Sequence, residues 1–240
     1  MPVPQIDYPA KARYQSEVSR DYLMRRSGSK KWQLEHRAVA RLLGNLPAAA
    51  SVLDAPVGTA RFHELFRDLN LKPYGLDVSL AMLEQAARSM PGLIARGDVT
   101  NLPLATCSVD YVLSVRFLNW LPAAEREAAL AEFRRVARRG LIVGIRTCER
   151  TRLFRLPGLL KSVLSRPIDS LGRLTAPLRR RLRGNEPSIL IPPKDEILAL
   201  FDRLDLDIVS SEPIVDGTES TRRFFRYTPL NLFLLGMTEP

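Results

Sequence analysis

The chain has 240 residues, 45% of them hydrophobic, with a formal net charge of +10. That is enough apolar material for a real core, and the length fits one large α/β domain or one with a sizeable insertion. Two cysteines, Cys107 and Cys148, sit far apart without metal-ligand spacing. This argues against a disulfide scaffold or a metal centre and for a reducing, cytoplasmic compartment.

The opening stretch MPVPQIDYPAKARYQ has no apolar core of the kind a secretory leader carries. No run approaches the ~18 apolar residues of a membrane span. Residues 1–30 are polar and Tyr-rich, with helical pieces expected over 10–26 and a break at Ser27-Gly28-Ser29. Over 30–43, Trp32, Leu34, Val39, Leu42 and Leu43 suit one face of a helix that Gly44-Asn45 ends. Trp32 reads as a core anchor.

The stretch SVLDAPVGTARF, residues 51–62, is a short apolar strand, a small-residue turn and the start of a helix over 61–69. Such a turn offers free N–H groups to a ligand, and a Gly within it lets the ligand approach the backbone. Residues 72–76 form a second strand, and Ser79 caps a helix over 80–89. Residues 93–96 are a third strand and 109–115, VDYVLSV, the strongest one. Pro122 opens a helix over 123–137, and 141–145 is the next strand. Strands alternating with helices give a parallel sheet. Residues 147–188 break this rhythm with prolines, glycines and scattered leucines. A helix over 194–204 and strands over 207–214 and 222–228, joined by Asp216-Gly217, then predict an antiparallel edge hairpin.

Asp54, Asp77 and Asp98 fall at the ends of three successive strands, about 20 residues apart. In a parallel sheet those ends share the ligand-binding edge. Asp77 stands where an acid takes ribose hydroxyls, and the next acid can take an adenine amine. Each alone reads more readily as a cap or turn residue; all three in register do not.

The stretches VLDAPVGTARF, GLDVSLAMLEQA, GDVTNLPLATCSVDYVLSV and EFRRVARRGLIV make the chain resemble the class I S-adenosylmethionine-dependent methyltransferases. The similarity is greatest to the small-molecule, ubiquinone/menaquinone type. It covers about residues 30–146, and the helix with two late strands matches that family's finish. The resemblance implies a doubly wound, mostly parallel seven-stranded sheet with an antiparallel edge hairpin and an inserted helical cap. It implies S-adenosyl-L-methionine as cofactor. Asp54, Ala55, Pro56 and Gly58 would hold the methionine end, Asp77 and Val78 the ribose, and Met82 the adenine face. Asp98 would take the adenine amine, the Val99 backbone a ring nitrogen, and Arg116 would sit beside cofactor and substrate. Residues 14–26 would form a lid. The family turn D-x-G-x-G-x-G reads here with Pro56 and Ala60 at the first and third Gly positions. A positive φ at Ala60 would carry an appreciable cost.

Domain limits follow: 1–45 a helical lid, 46–146 the cofactor-binding core, 147–190 a basic helical insertion, and 191–240 the completion of the core. Methyl transfer needs mainly alignment, and a base only for a protonated acceptor. His36, Arg116 and Asn119 are the weak catalytic candidates; Asn119 and Trp120 could line the acceptor pocket, and read equally well as a helix cap and core packing. Residues 150–185 hold ten Lys/Arg, from Arg150 to Arg183, and one acid, Asp169, so nearly all the net charge lies there. They read as a solvated cap, or as a dock for an acidic protein or an anionic membrane surface. One aromatic in the stretch and no RNA module disfavour nucleic acid.

The sequence therefore predicts a cytoplasmic methyltransferase, peripheral at a membrane if the basic stretch docks there, acting on a small-molecule or lipid-like acceptor, with a protein side chain as another option. The competing reading is a non-catalytic relative that binds an anionic partner through 150–185. A nicotinamide dehydrogenase is weaker, because no Tyr/Lys dyad is evident.

Overall fold

The computed structural model describes residues 29–150, 189–214, 220–222 and 225–237. The expected helix over 10–26, the lid over 14–26 and all of 151–188 lie outside them. The helices are α1 (Lys30–Gly44), α2 (His63–Asp68), α3 (Leu80–Ala86), α4 (Ala123–Val136) and α5 (Lys194–Arg203). The strands are β1 (Ser51–Asp54), β2 (Lys72–Asp77), β3 (Ile94–Arg96), β4 (Val109–Val115), β5 (Ala137–Arg150), β6 (Leu206–Ile214), β7 (Ser220–Arg222) and β8 (Phe225–Met237).

The strand order is β3-β2-β1-β4-β5-β8-β6, with the short β7 paired to β8. Neighbours from β3 to β5 are parallel, whereas β8 runs antiparallel to both β5 and β6. The doubly wound, mostly parallel seven-strand path with an antiparallel finish is thus present. Its chain order reverses beside β1, and the C-terminal ends of β1, β2, β3 and β4 share one edge. Ligands bind sheets of this kind in that crevice.

Local chemistry explains the main elements. Ser29 caps α1, its Oγ accepting from the Trp32 N–H at 3.2 Å. Val39, Leu42 and Leu43 of α1 then pack with Phe66 of α2, Val52 and Leu113 on one sheet face. On the other face, Leu130 and Phe133 of α4 and Phe201 of α5 cover Leu53, Leu141 and Phe233. The Ser51 and Asp110 side chains clip β1 to β4: Asp110 Oδ2 accepts from the Ser51 N–H at 2.8 Å and from Ser51 Oγ at 2.7 Å.

Four elements differ in their limits from the sequence reading. α2 and α3 are shorter at their ends, and α2 has no side-chain cap. β5 begins at Ala137, directly after α4, and runs to Arg150. It therefore enters the stretch expected to be insertion, because β8 pairs with it from Gly140 to Arg150, beyond Gly144 where its ladder with β4 ends. β8 extends to Met237, well past the expected end at 228. Pro229 is carried where its register with β5 shifts, a position that tolerates a missing N–H donor.

Candidate functional site

The turn after β1 is anchored to both neighbouring strands. The Ala55 N–H donates to the Leu113 carbonyl at 2.9 Å and the Val57 N–H to the Leu76 carbonyl at 2.8 Å. Gly58 sits at φ +55°, and a Cβ there would meet nothing within 4 Å, so this backbone faces open space. Ala60 sits at φ +56°. The strain foreseen at this position is therefore present, about 1–2 kcal/mol for an L-residue. Its methyl, however, points into an apolar cluster with Val57, Leu83, Ala86 and Met90, away from the slot.

Asp77 ties the turn to the next helix. Its Oδ2 accepts from the Gly58 N–H and its Oδ1 from the Ser79 N–H, both at 2.9 Å. Ser79 in turn caps α3, its Oγ accepting from the Met82 N–H at 3.3 Å. Asp54 is 3% exposed, and its carboxylate accepts no hydrogen bond among the described residues. Burial pushes its pKa well above the ordinary carboxylate value, the Asp77 charge pushes the same way, and Arg61 pulls back in part. Burial also raises Asp77, against the opposing hydrogen bonds from Ser79, Gly58 and Val78. Two crowded acids, one without a donor, make a site for a cationic group.

Asp98 lies just beyond β3 and is half-buried. Its Oδ1 accepts from the Thr100 N–H at 3.0 Å and Thr100 Oγ1 at 2.8 Å, so one oxygen serves the turn. Val99 is buried, and its backbone N–H is engaged by no group among the described residues. Met82 is buried on α3.

Arg116 follows β4 directly, in the left-handed region at φ +65°. Its Nε lies 2.6 Å from Glu35 Oε1, and the other carboxylate oxygen of Glu35 accepts from Arg61 Nη1 at 2.9 Å. Arg61 also donates to the Trp32 carbonyl at 2.8 Å and stacks its guanidinium 3.5 Å from the Trp32 ring centre. The sequence reading missed Glu35 and Arg61. A signal existed for Glu35: it is an acid on the apolar stripe of α1, three residues after Trp32 and four before Val39.

The structure thus groups Asp54, Ala55, Pro56, Gly58, Asp77, Val78 and Met82 at the ends of β1 and β2, with Asp98 and Val99 beyond β3 and Arg116 beyond β4. Asn119 stands apart from them. Its Nδ2 donates to the carbonyls of Arg146 at 2.8 Å and Leu190 at 2.7 Å, and its Oδ1 accepts from the Arg146 N–H at 2.7 Å. Both amide hydrogens are spent on protein carbonyls, so Asn119 is a strap between β5 and the chain before α5, not a free amide facing a substrate. Trp120 packs against the core. His36 stacks on Phe62, with ring centres 6.2 Å apart. Burial lowers its pKa and nearby Arg61 lowers it further, Glu64 opposing. No group of three or more His, Cys, Asp or Glu suited to a metal ion occurs among the described residues.

Comparison with known proteins identifies the domain that holds this site. Residues 53–143 match the family described as a methyltransferase domain. The chain carries a methyltransferase domain over those residues. S-adenosylmethionine is its cofactor and methyl transfer its reaction. The chain is 29% identical to a malonyl-[acyl-carrier protein] O-methyltransferase of Pectobacterium atrosepticum over 182 residues, 72% of this chain and 70% of that protein. It is 35% identical to the Yersinia pestis protein of the same name over 109 residues, 45% of this chain and 39% of that one. In fold it resembles magnesium protoporphyrin IX methyltransferase from Synechocystis PCC 6803, solved with bound SAM. The TM-score is 0.60 at 14% identity, covering 96% of this chain and 99% of the other.

The residues present fit S-adenosylmethionine. The donor-free Asp54 carboxylate suits an ammonium group, the open face of Gly58 leaves room at the turn, and the unengaged Val99 N–H suits a ring nitrogen. No helix among the described residues is long and apolar enough to cross a membrane.

Proposed function

We propose that the chain is an O-methyltransferase whose acceptor is the carboxylate of a small or lipid-like acid, free or held as a thioester on an acidic carrier. The observation that carries the cofactor half is the buried Asp54–Asp77 pair. Asp54 and the Gly58 turn would hold the methionine end of S-adenosylmethionine, Asp77 and Val78 its ribose, and Met82, Asp98 and the Val99 N–H its adenine. When bound, the cofactor supplies an electrophilic methyl group on a sulfonium.

Four features support the acceptor half. Two curated relatives are named for O-methylation of a malonyl group on a carrier protein. Arg116 places a guanidinium at the sheet edge beside the end of β1, where it suits a carboxylate. A carboxylate is already ionised at neutral pH, so the reaction asks no proton transfer of this chain. That agrees with a sequence holding only two histidines, one stacked on Phe62 and the other, His63, using Nδ1 to donate to the Ala60 carbonyl at 3.0 Å. The basic stretch 150–185 is complementary to an acidic carrier.

The test is incubation with S-adenosylmethionine and malonyl-pantetheine, followed by mass spectrometry of the acceptor. A gain of one methyl that alkaline hydrolysis removes supports a carboxyl ester. A methyl that survives alkali, or no transfer to any of a panel of short-chain acid thioesters, contradicts the acceptor class.

A further inference from the structure

Glu35 is fully buried on α1, with its two oxygens directed at two arginines from different segments of the site. Arg61 comes from the turn after β1, where its charge is felt by Asp54. Arg116 comes from the end of β4, is 24% exposed on its side chain, and has Glu35 as its only partner among the described residues. Two arginines share this one buried acid. The two contacts differ in quality. Arg61 Nη1 makes an aligned hydrogen bond to Oε2, whereas Oε1 receives no aligned hydrogen bond and meets Arg116 Nε only as a 2.6 Å ion pair. An arginine with a strained backbone at φ +65° and one edge held by a buried acid keeps the other edge of its guanidinium fork for a second anion.

We infer that Glu35 is a positioning residue: it holds Arg116 so that the guanidinium receives the anionic group of the methyl acceptor. The inference rests on the carboxylate reading above and adds to it the residue that sets specificity. Arg61 anchors Glu35 from the cofactor side, through the Trp32 carbonyl and ring. The N-terminal helix α1 is thereby part of acceptor recognition, although it lies outside the strands that bear the cofactor residues.

A buried carboxylate between two guanidiniums can be essential for folding, so the experiment compares variants in one binding cycle. The probe is malonate, titrated by calorimetry into the full chain saturated with S-adenosylhomocysteine, so that no turnover is needed. Arg116→Gln leaves Glu35 paired with Arg61 and is expected to weaken malonate binding at least tenfold. Glu35→Gln is expected to weaken it by a similar factor, with Glu35→Asp partly restoring it. In the double variant Glu35→Gln/Arg116→Gln, binding is expected to be no weaker than with Arg116→Gln alone, because Glu35 acts through Arg116. Losses that multiply in the double variant overturn the inference, since a merely structural role predicts that. So does malonate binding that neither single variant changes, or no malonate binding by the wild type. Should Glu35→Gln fail to fold, Glu35→Asp and Arg116→Gln close the same cycle. Carboxyl methylation by the wild type without this coupling sinks the inference alone. Absence of a methyl ester sinks the carboxylate reading, and the binding cycle still decides whether Arg116 takes an anion through Glu35.

Discussion

Asp77 Oδ2 accepts a 2.9 Å hydrogen bond from the Gly58 N–H, so the acid at the end of β2 fixes the turn at the end of β1. Its other oxygen holds the Ser79 N–H at the start of α3. Asp77→Ala removes both acceptors at once. The expected loss is about 1–2 kcal/mol in urea denaturation, reduced by relief of the repulsion with Asp54. Cofactor affinity, read by calorimetry, is expected to fall at least about tenfold, since one carboxylate shapes both loops of the slot.

Asp54 gives the binding reaction a definite pH sign. Its folded pKa is raised above the ordinary value of 3.8, mainly by burial and then by Asp77. Its contribution to stability is therefore fully present below that value and is lost as pH rises through the folded pKa. A cationic cofactor prefers the ionised carboxylate, so affinity should increase with pH over the same interval, with protons released on binding. Calorimetry in two buffers of different ionisation enthalpy measures that release. Asp54→Asn is expected to flatten the pH dependence and weaken binding.

Gly58 and Ala60 share a left-handed backbone but face different surroundings. Gly58→Ala adds a methyl on the open side of the turn, where the cofactor would lie, and adds strain of about 1–2 kcal/mol. Both stability and affinity should drop, affinity by tenfold or more. Ala60→Gly removes the strain and also a buried methyl worth about 0.8 kcal/mol, so stability should change little. Cofactor affinity should stay within about threefold. Thermal melts and calorimetry on the two variants make the comparison.

Asn119→Ala separates scaffold from site. Asn119 is 5% exposed and makes three side-chain hydrogen bonds between β5 and the chain before α5. Their loss leaves backbone groups of Arg146 and Leu190 short of partners, an expected cost of about 2–3 kcal/mol in denaturation. Cofactor affinity at a temperature where the variant is folded should be unchanged.

The fold was legible where a single period or a turn residue carried the signal. VDYVLSV is β4 as read, and Ser29 with Gly44 bounds α1 closely. The limits of β5 and β8 were not legible, because they depend on distant partners: Ala137 and Gly140 pair with β4, and the segment after Thr228 becomes strand between β5 and β6. In the site, Asp54, Asp77 and Asp98 stand where strand ends put them. The strap made by Asn119 was not legible, because nothing local reveals that its amide meets Arg146 and Leu190, 27 and 71 residues away. Glu35 was visible as an acid on an apolar helical face, but Arg61 and Arg116 become its partners only when the turn after β1 and the end of β4 are brought to α1.

Titration of the full chain with S-adenosylmethionine reaches the heart of the account, which is that the carboxylates closing β1 and β2 hold this cofactor. One saturable site in the micromolar range is expected, weakened at least tenfold by Asp77→Ala. No saturation at millimolar cofactor, or an affinity that Asp77→Ala leaves untouched, would contradict it.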